Sequence, residues 1–189
     1  MLTEDILKNK ICLPVAHRIL RGAHFITSDI RFGLPDSHWH GVDHTLRVLI
    51  FTLVLGHRKG LRPDELETLS LAAAFHDTCR QDEWTDPGHG ERAAYYYQRF
   101  CEEKGAEPDV MARFLMHYHD RDDSIGLARI AALHRPGERA VLLYQIFKDA
   151  DALDRFRLAP DALDISQLRT REALELIPFS QQLLKTMTT

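Results

Sequence analysis

An adjacent histidine and aspartate, His76 and Asp77, end an apolar run that begins at Leu69. A histidine and a carboxylate at the buried end of a hydrophobic helix cost free energy unless a partner satisfies them. A divalent metal ion is such a partner, since imidazole and carboxylate are both common metal ligands. Adjacent residues within a helix project about 100° apart, so the pair can share a metal only where the helix ends. The polar segment 78–88 follows directly and predicts that end.

Two further residues of ligand type lie on other predicted helices. His44 opens the apolar segment 44–51, and Asp151 lies within a later helical segment. Antiparallel packing brings such positions together in the metal sites of helical bundles. We therefore predict that His44, His76, Asp77 and Asp151 bind a divalent metal. The mixed imidazole and carboxylate set suits Mn, Fe, Co, Ni or Zn better than Mg, which favours an all-oxygen site.

The order of these four residues resembles that of the HD-domain superfamily of metal-dependent phosphohydrolases. Residues 44–48, His-Thr-Leu-Arg-Val, are similar to its first-ligand motif, and His76-Asp77 to its name-giving doublet. Residues 151–154, Asp-Ala-Leu-Asp, are similar to its last ligand segment. The resemblance covers residues 37–157 and implies a metal-activated water that attacks phosphorus.

The resemblance also implies that Asp151 is the ligand in the last segment. Asp149 would face about 200° away on an ideal helix, which agrees with that choice. Asp154 lies one turn beyond Asp151, so we expect it to orient a ligand or to cap the helix end. The substrate of a particular branch does not follow. Arg80 and Gln81 stand where the alarmone-hydrolysing branch has a Glu-Asp pair, and the Gly-Tyr-Pro signature of the HD-GYP branch is absent.

Three more histidines follow the doublet. Some HD-domain proteins bind two metals through extra histidines in this part of the chain. His89, His117 and His119 occupy a comparable order, so we predict that they form a second metal site or contact phosphate. A capping role remains the alternative for His89, which lies at a predicted helix start.

Candidate substrate-binding residues lie beside the predicted ligands. Arg47 and Arg80 can each pair with two phosphate oxygens, although a salt bridge inside the bundle is an equal alternative for Arg47. His40 precedes His44 and is interpreted as an outer-shell or substrate-binding residue. His89, His117 and His119 are also candidates for protonating a leaving group.

The whole chain, residues 1–189, has the pattern of one all-α domain. Its motif-bearing core is residues 37–157, and helices in residues 161–187 complete the bundle. The predicted helices are 3–21 with a break or kink at Pro14, 42–58, 63–77, 90–104, 109–119, 125–134 and 138–156, followed by one or two pieces broken at Pro178.

Composition narrows the functional class. The net charge of −4 and pI of about 6.2 provide no basic field for long nucleic acids. The longest apolar stretch is far below the ~20 residues of a membrane span. Three widely spaced cysteines favour a reducing cytoplasm, and the acidic residues 1–5 do not resemble a signal peptide.

Together these patterns predict a metal-dependent phosphohydrolase that uses one or two divalent metals. The expected substrate is a small phosphorylated compound, a nucleotide, cleaved at a phosphoester or phosphoanhydride. Two alternatives stay open at this point. One is a diiron HD-type oxygenase, which uses the same ligand types. The other is a metal-stabilised module that binds a nucleotide or protein without catalysis.

Overall fold

The computed structural model describes residues 2–133 and 137–188, and these contain helices but no strand. The predicted all-α fold is therefore confirmed. The α-helices in these residues are α1 (Glu4–Lys8), α2 (Ala16–Ser28), α3 (Val42–Arg58), α4 (Pro63–Phe75), α5 (His89–Glu103), α6 (Val110–Tyr118), α7 (Asp123–Ala131), α8 (Glu138–Leu153) and α9 (Arg171–Thr188). Short 3-10 helices occur at Leu13–Val15, Asp154–Arg157 and Ile165–Gln167.

Helix α3 is the centre of the fold. Every residue from His44 to Gly56 is buried, and the helix contacts α2, α4, α8 and α9. Fully burying one Leu or Phe side chain contributes about 1.5–3 kcal/mol, and α3 buries several. This packing holds His44, in the first turn of α3, in a fixed position.

Helix α4 ends at the His-Asp doublet, as the sequence predicts. Its first turn is closed by Glu65, whose Oε2 accepts from the backbone N–H of Arg62 at 2.8 Å. At the other end, Thr78 donates from its N–H (3.0 Å) and its hydroxyl (2.6 Å) to the carbonyl of Phe75. His76 and Asp77 therefore lie where the backbone leaves the helix, and both side chains can converge.

Glycines allow α5 to approach the end of α6. Gly88 has φ +82°, a left-handed conformation that favours glycine, and it directly precedes α5. A Cβ at Gly90 would lie 2.4 Å from the carbonyl oxygen of Met116 and 3.0 Å from His119 Nδ1. The Gly-His-Gly sequence thus places His89 directly against the end of α6.

The amino-terminal prediction, one helix over residues 3–21, is wrong in its bounds. Residues 4–8 form α1, and Pro14 lies in a 3-10 turn, as expected of a helix breaker. Helix α2 continues to Ser28, beyond the expected end, because Ala23 and Ile26 extend its buried face into the core.

The expected break at Pro178 is also wrong, because α9 runs through this residue. Leu176 and Phe179 on either side of it are buried, so core packing maintains the helix. The carbonyl that Pro178 cannot bind belongs to Leu174, which is 43% exposed and open to water. The predicted helix end at His134 lies outside the described residues.

No helix within the described ranges combines the length and the apolar character needed to cross a membrane.

Candidate metal centre

Three helix ends bring the four predicted ligands together. His44 lies in the first turn of α3, His76 and Asp77 follow α4, and Asp151 lies in the last turn of α8. His44 Nε2 is 3.1 Å from His76 Nε2, 3.4 Å from Asp77 Oδ2 and 3.5 Å from Asp151 Oδ1. His44, His76 and Asp77 are buried, whereas Asp151 is partly exposed.

In His44 and His76, the second ring nitrogen, Nδ1, already has a hydrogen-bond partner. His76 Nδ1 donates to the carbonyl of Ala73 at 2.9 Å, and His44 Nδ1 lies 2.7 Å from Asp154 Oδ2. A ring whose Nδ1 carries the proton presents a lone pair at Nε2. The two Nε2 atoms therefore face each other across 3.1 Å, a separation that a shared proton or a bound metal ion can occupy.

Two more histidines repeat this arrangement on the other side of Asp77. The Nε2 atoms of His89 and His119 are 2.9 Å apart, and they lie 3.1 Å and 3.4 Å from Asp77 Oδ1. Their Nδ1 atoms donate to the carbonyls of Asp86 and Met116, both at 2.7 Å. Asp77 thus presents one carboxylate oxygen to each pair of histidines.

Both halves fit a divalent metal. Two nitrogens that bind one metal at about 2.1 Å, roughly at a right angle, lie about 3 Å apart. The pairs have separations of 3.1 Å and 2.9 Å. Histidines of metal sites also commonly donate Nδ1–H to a carbonyl or carboxylate, as all four do here.

The electrostatics of the cluster also favour a cation. Burial alone would raise the pKa of Asp77, but His76 and hydrogen bonds from His119, His40 and His44 hold it well below its usual range. Burial lowers the pKa of His76 to about 3, so this ring is neutral. The pKa of Asp151 is also lowered: burial raises it, and His76 and His44 outweigh that effect. A neutral imidazole between two ionised carboxylates is ready to bind a metal.

Comparison with known protein families agrees with this geometry. Residues 41–155 match the model of the HD domain family, and they include all four predicted ligands and the second pair of histidines. The chain belongs to the HD domain family. Membership places it in a superfamily of metal-dependent hydrolases. Searches of curated proteins and of solved structures gave no match.

Within this HD domain, the structure separates the two histidines at the end of α6. His119 follows α6 directly and joins the cluster, whereas His117 is half-buried and its ring packs on Tyr118, with centroids 4.4 Å apart. Among the described residues, the structure thus brings His119 and not His117 to the cluster, and His117 does not line the cavity. Residues two positions apart project about 200° apart on a helix, so both cannot face the same site.

For Arg47, the structure shows the second of the two alternatives, a salt bridge inside the bundle. Its side chain is 2% exposed and pairs with Asp154, with Nε 2.6 Å from Oδ1 and Nη2 3.0 Å from Oδ2. The Arg47 guanidinium is thus paired with Asp154 inside the bundle and is not available to bind a phosphate. Asp154 lies where the sequence predicted an orienting residue, because its Oδ2 also holds His44.

His40 and Arg80 line the cavity above the cluster, as expected of substrate-binding residues. His40 Nδ1 is 2.9 Å from Asp77 Oδ2. Arg80 places Nη1 3.4 Å from the ring nitrogens of His89 and 3.9 Å from Asp77 Oδ1. Asp149, rejected as a ligand, is buried elsewhere and accepts from the N–H and hydroxyl of Thr170.

The cluster lies in a cavity of about 860 Å³. Away from the ligands, its wall carries six basic side chains, Arg80, Arg121, Lys148, Arg155, Arg157 and Arg169, together with four carboxylates, Glu83, Asp86, Asp120 and Asp164. Sequence analysis selected only Arg80 among the basic side chains, although all the others except Arg169 lie within a few residues of His119, Asp151 or Asp154. Burial lowers the pKa of Lys148, whose Nζ donates to the carbonyls of His119 and Arg121 at 2.8 Å and 2.7 Å.

Asp120 is a further residue that the sequence analysis did not select. Its Oδ2 accepts from the N–H of Gly88 at 2.9 Å and so links the start of α5 to the end of α6. Its Oδ1 is buried and has no hydrogen-bond partner within the described parts of the chain, and the residue lines the cavity. The signal available in the sequence was its position directly after His119.

Proposed function

We propose that this protein is a binuclear metal-dependent phosphohydrolase that cleaves a phosphoester or phosphoanhydride of a small nucleotide. The observation that carries the proposal is the pair of histidine couples on either side of Asp77, in a cavity whose wall includes Arg80 and Arg157. His44, His76, Asp77 and Asp151 would hold one metal. His89, His119 and the second oxygen of Asp77 would hold the other.

A divalent metal in such a site lowers the pKa of a bound water to about 7 and neutralises charge on a phosphoryl oxygen. The protein itself supplies orientation and electrostatics. Arg80 and Arg157 lie beside the cluster, and each guanidinium can pair with two phosphate oxygens. These contacts favour an anionic substrate over a neutral one.

The cavity also contains a group able to accept a proton. His40 Nδ1 can donate to Asp77 Oδ2, which leaves Nε2 as the acceptor in this ring. His89 and His119 have Nδ1 bound to carbonyls and Nε2 in the cluster, so neither ring is free to protonate a leaving group. His40 Nε2 would instead accept the proton that the attacking water releases and then donate it to the leaving group.

The test is a substrate screen with the purified full chain. Metal-free protein is supplied with Mn, Fe, Co, Ni, Zn or Mg, and phosphate or nucleotide release is measured from nucleoside mono-, di- and triphosphates and cyclic dinucleotides. His76→Ala should abolish turnover, because it removes a cluster nitrogen. His57→Ala, at the exposed other end of the α3 region, is the matched control and should retain it.

Absence of turnover on every phosphorylated compound would reject the proposal. Oxygen uptake by the iron-loaded protein on a non-phosphorylated compound would then favour the oxygenase alternative. Metal binding with neither activity would favour the non-catalytic alternative.

A further inference from the structure

Both tryptophans of the chain line the cavity beside the cluster of histidines and aspartates. Trp84 is 76% exposed, and its ring meets that of Trp39 edge to face, with centroids 5.5 Å apart and an interplanar angle of 70°. The other side chains of the cavity are mostly polar or charged. The two tryptophans add an aromatic wall to it. Polar groups that fix orientation beside an aromatic wall are typical of sites for small molecules.

Trp84 is tied to the cluster through Arg80. The Nη2 of Arg80 donates to the carbonyl of Trp84, while its Nη1 lies 3.9 Å from Asp77 Oδ1. Asp82 supports the same turn, because its Oδ1 accepts from the N–H of Trp84 at 2.7 Å. Since a guanidinium is planar and rigid, the backbone of Trp84 lies within roughly 9 Å of the Asp77 carboxylate.

Trp39 is tied to the cluster in the same way, from the opposite side of Asp77. The Nε of Arg157 donates to the carbonyl of Trp39, and its Nη2 lies 3.3 Å from His40 Nδ1. His40 in turn lies 2.9 Å from Asp77 Oδ2. Each tryptophan is thus held by an arginine that also lies beside the cluster.

We propose that Trp84, supported by the edge contact of Trp39, stacks on the nucleobase of the substrate while its phosphate lies against Arg80 and Arg157. This inference rests on the proposed function and specifies which part of the substrate each wall binds. A nucleobase is the occupant that matches an exposed aromatic side chain whose backbone lies within roughly 9 Å of a phosphate-binding end. Every base offers a flat face to an aromatic ring, so we expect purine and pyrimidine nucleotides both to be accepted.

The tryptophans provide a direct binding assay. Because the chain has only these two, tryptophan fluorescence, excited selectively over that of the five tyrosines, reports on this cavity. Full-length protein treated with a chelator is titrated with adenosine monophosphate and, separately, with ribose 5-phosphate. We expect the nucleotide to quench the fluorescence and the sugar phosphate to have little effect. Equal responses to both compounds would overturn the proposal.

The kinetic test uses Trp84→Ala, Trp84→Phe and the matched control Tyr95→Ala. Tyr95 is another exposed aromatic residue, 62% exposed, that does not line this cavity. The readout is the ratio of kcat/KM for a nucleoside phosphate to kcat/KM for ribose 5-phosphate. We expect Trp84→Ala to lower this ratio roughly tenfold or more, Trp84→Phe to restore most of it, and Tyr95→Ala to leave it unchanged.

The two proposals fail in different ways. An unchanged ratio in an active Trp84→Ala enzyme overturns base stacking and leaves the phosphohydrolase assignment intact. Selective quenching by the nucleotide in a protein that hydrolyses no phosphate compound supports base binding and overturns the phosphohydrolase assignment.

Discussion

At the scale of single residues, the decisive group is Asp77. One carboxylate oxygen lies 3.4 Å from His44 Nε2, and the other lies 3.1 Å from His89 Nε2. Asp77 lies beyond the last turn of α4, so both of its carboxylate oxygens can face histidines. Within the helix, the neighbouring turns would cover one side of the carboxylate. A single aspartate thereby joins two histidine couples into one cluster.

The two histidines near the end of α6 give the sharpest residue test. His119→Ala removes a nitrogen from the cluster, so metal content should fall from two to about one per chain. His117→Ala should retain two, because its ring packs on Tyr118 outside the cluster. Metal analysis of both variants after dialysis under saturating metal decides this. Equal metal content in the two variants would contradict the assignment.

Asp154 should act through His44 rather than by touching a metal. Asp154→Asn keeps the shape but removes the charge that holds His44 Nδ1 and the buried Arg47. Loss of such an orienting carboxylate typically costs 10–100-fold in metal affinity. Metal affinity, measured by competition with a chelator, should fall in this range. Asp161→Asn, an exposed carboxylate on the surface, is the control; an equal loss there would exclude a positioning role.

At the scale of elements, the site is assembled from helix ends. Helix α3 contributes its first turn, α4 and α6 the residues that follow them, α5 its first residue and α8 its last turn. Buried packing of α3 against α4 and α8 fixes the first half. The second half depends on the contact between α5 and α6, which Gly88 and Gly90 permit.

Gly90→Ala tests this dependence. The added Cβ would meet the Met116 carbonyl at 2.4 Å, so α5 must move away from α6. Overpacking of this kind costs about 1–3 kcal/mol, and the shift separates His89 from His119. We expect a lower melting temperature and loss of the second metal. Gly137→Ala, where the nearest atom is 3.9 Å away, should cause neither. Retention of both metals in Gly90→Ala would show that this approach is not required.

Some features of the helices were predictable from the sequence, and others were not. The long apolar pattern of α3 predicted its bounds at Val42 and Arg58 correctly. The end of α4 was predictable because turn residues follow Asp77 directly. The sequence could not decide between a phosphate contact and a salt bridge for Arg47, because its partner, Asp154, lies more than a hundred residues away. His117 and His119 could not be separated because a helix end displaced by one residue changes which ring faces the site.

At the scale of the whole molecule, six arginine and lysine side chains gather around one cavity, although the chain carries a net charge of −4. Six carboxylates line the same cavity, including the predicted ligands Asp77 and Asp151, so the basic groups act as local partners for a bound anion and not as a field of one sign. This arrangement favours a small anion that enters the cavity over a long nucleic acid that needs an extended basic surface.

The cavity wall also lies beyond what local sequence patterns reveal. Arg157 and Trp39 are separated by more than a hundred residues in the sequence. They meet because the residues that follow α8 lie beside the residues that precede α3. By contrast, the order of His44, His76, Asp77 and Asp151 was visible because each lies in a distinct motif. The four residues that the structure brings together were therefore visible in local motifs, as were His40 and Arg80, whereas Trp39, Trp84 and Arg157 in the cavity wall were not.

The most direct test of the account is a metal titration of nucleotide hydrolysis. Metal-free protein receives increasing equivalents of Mn or Co, and phosphate release is followed at saturating nucleotide. The account predicts no release without metal and a rise that reaches its plateau at two equivalents per chain. Release by metal-free protein, or a plateau at one equivalent with full activity, would contradict a binuclear centre bridged by Asp77.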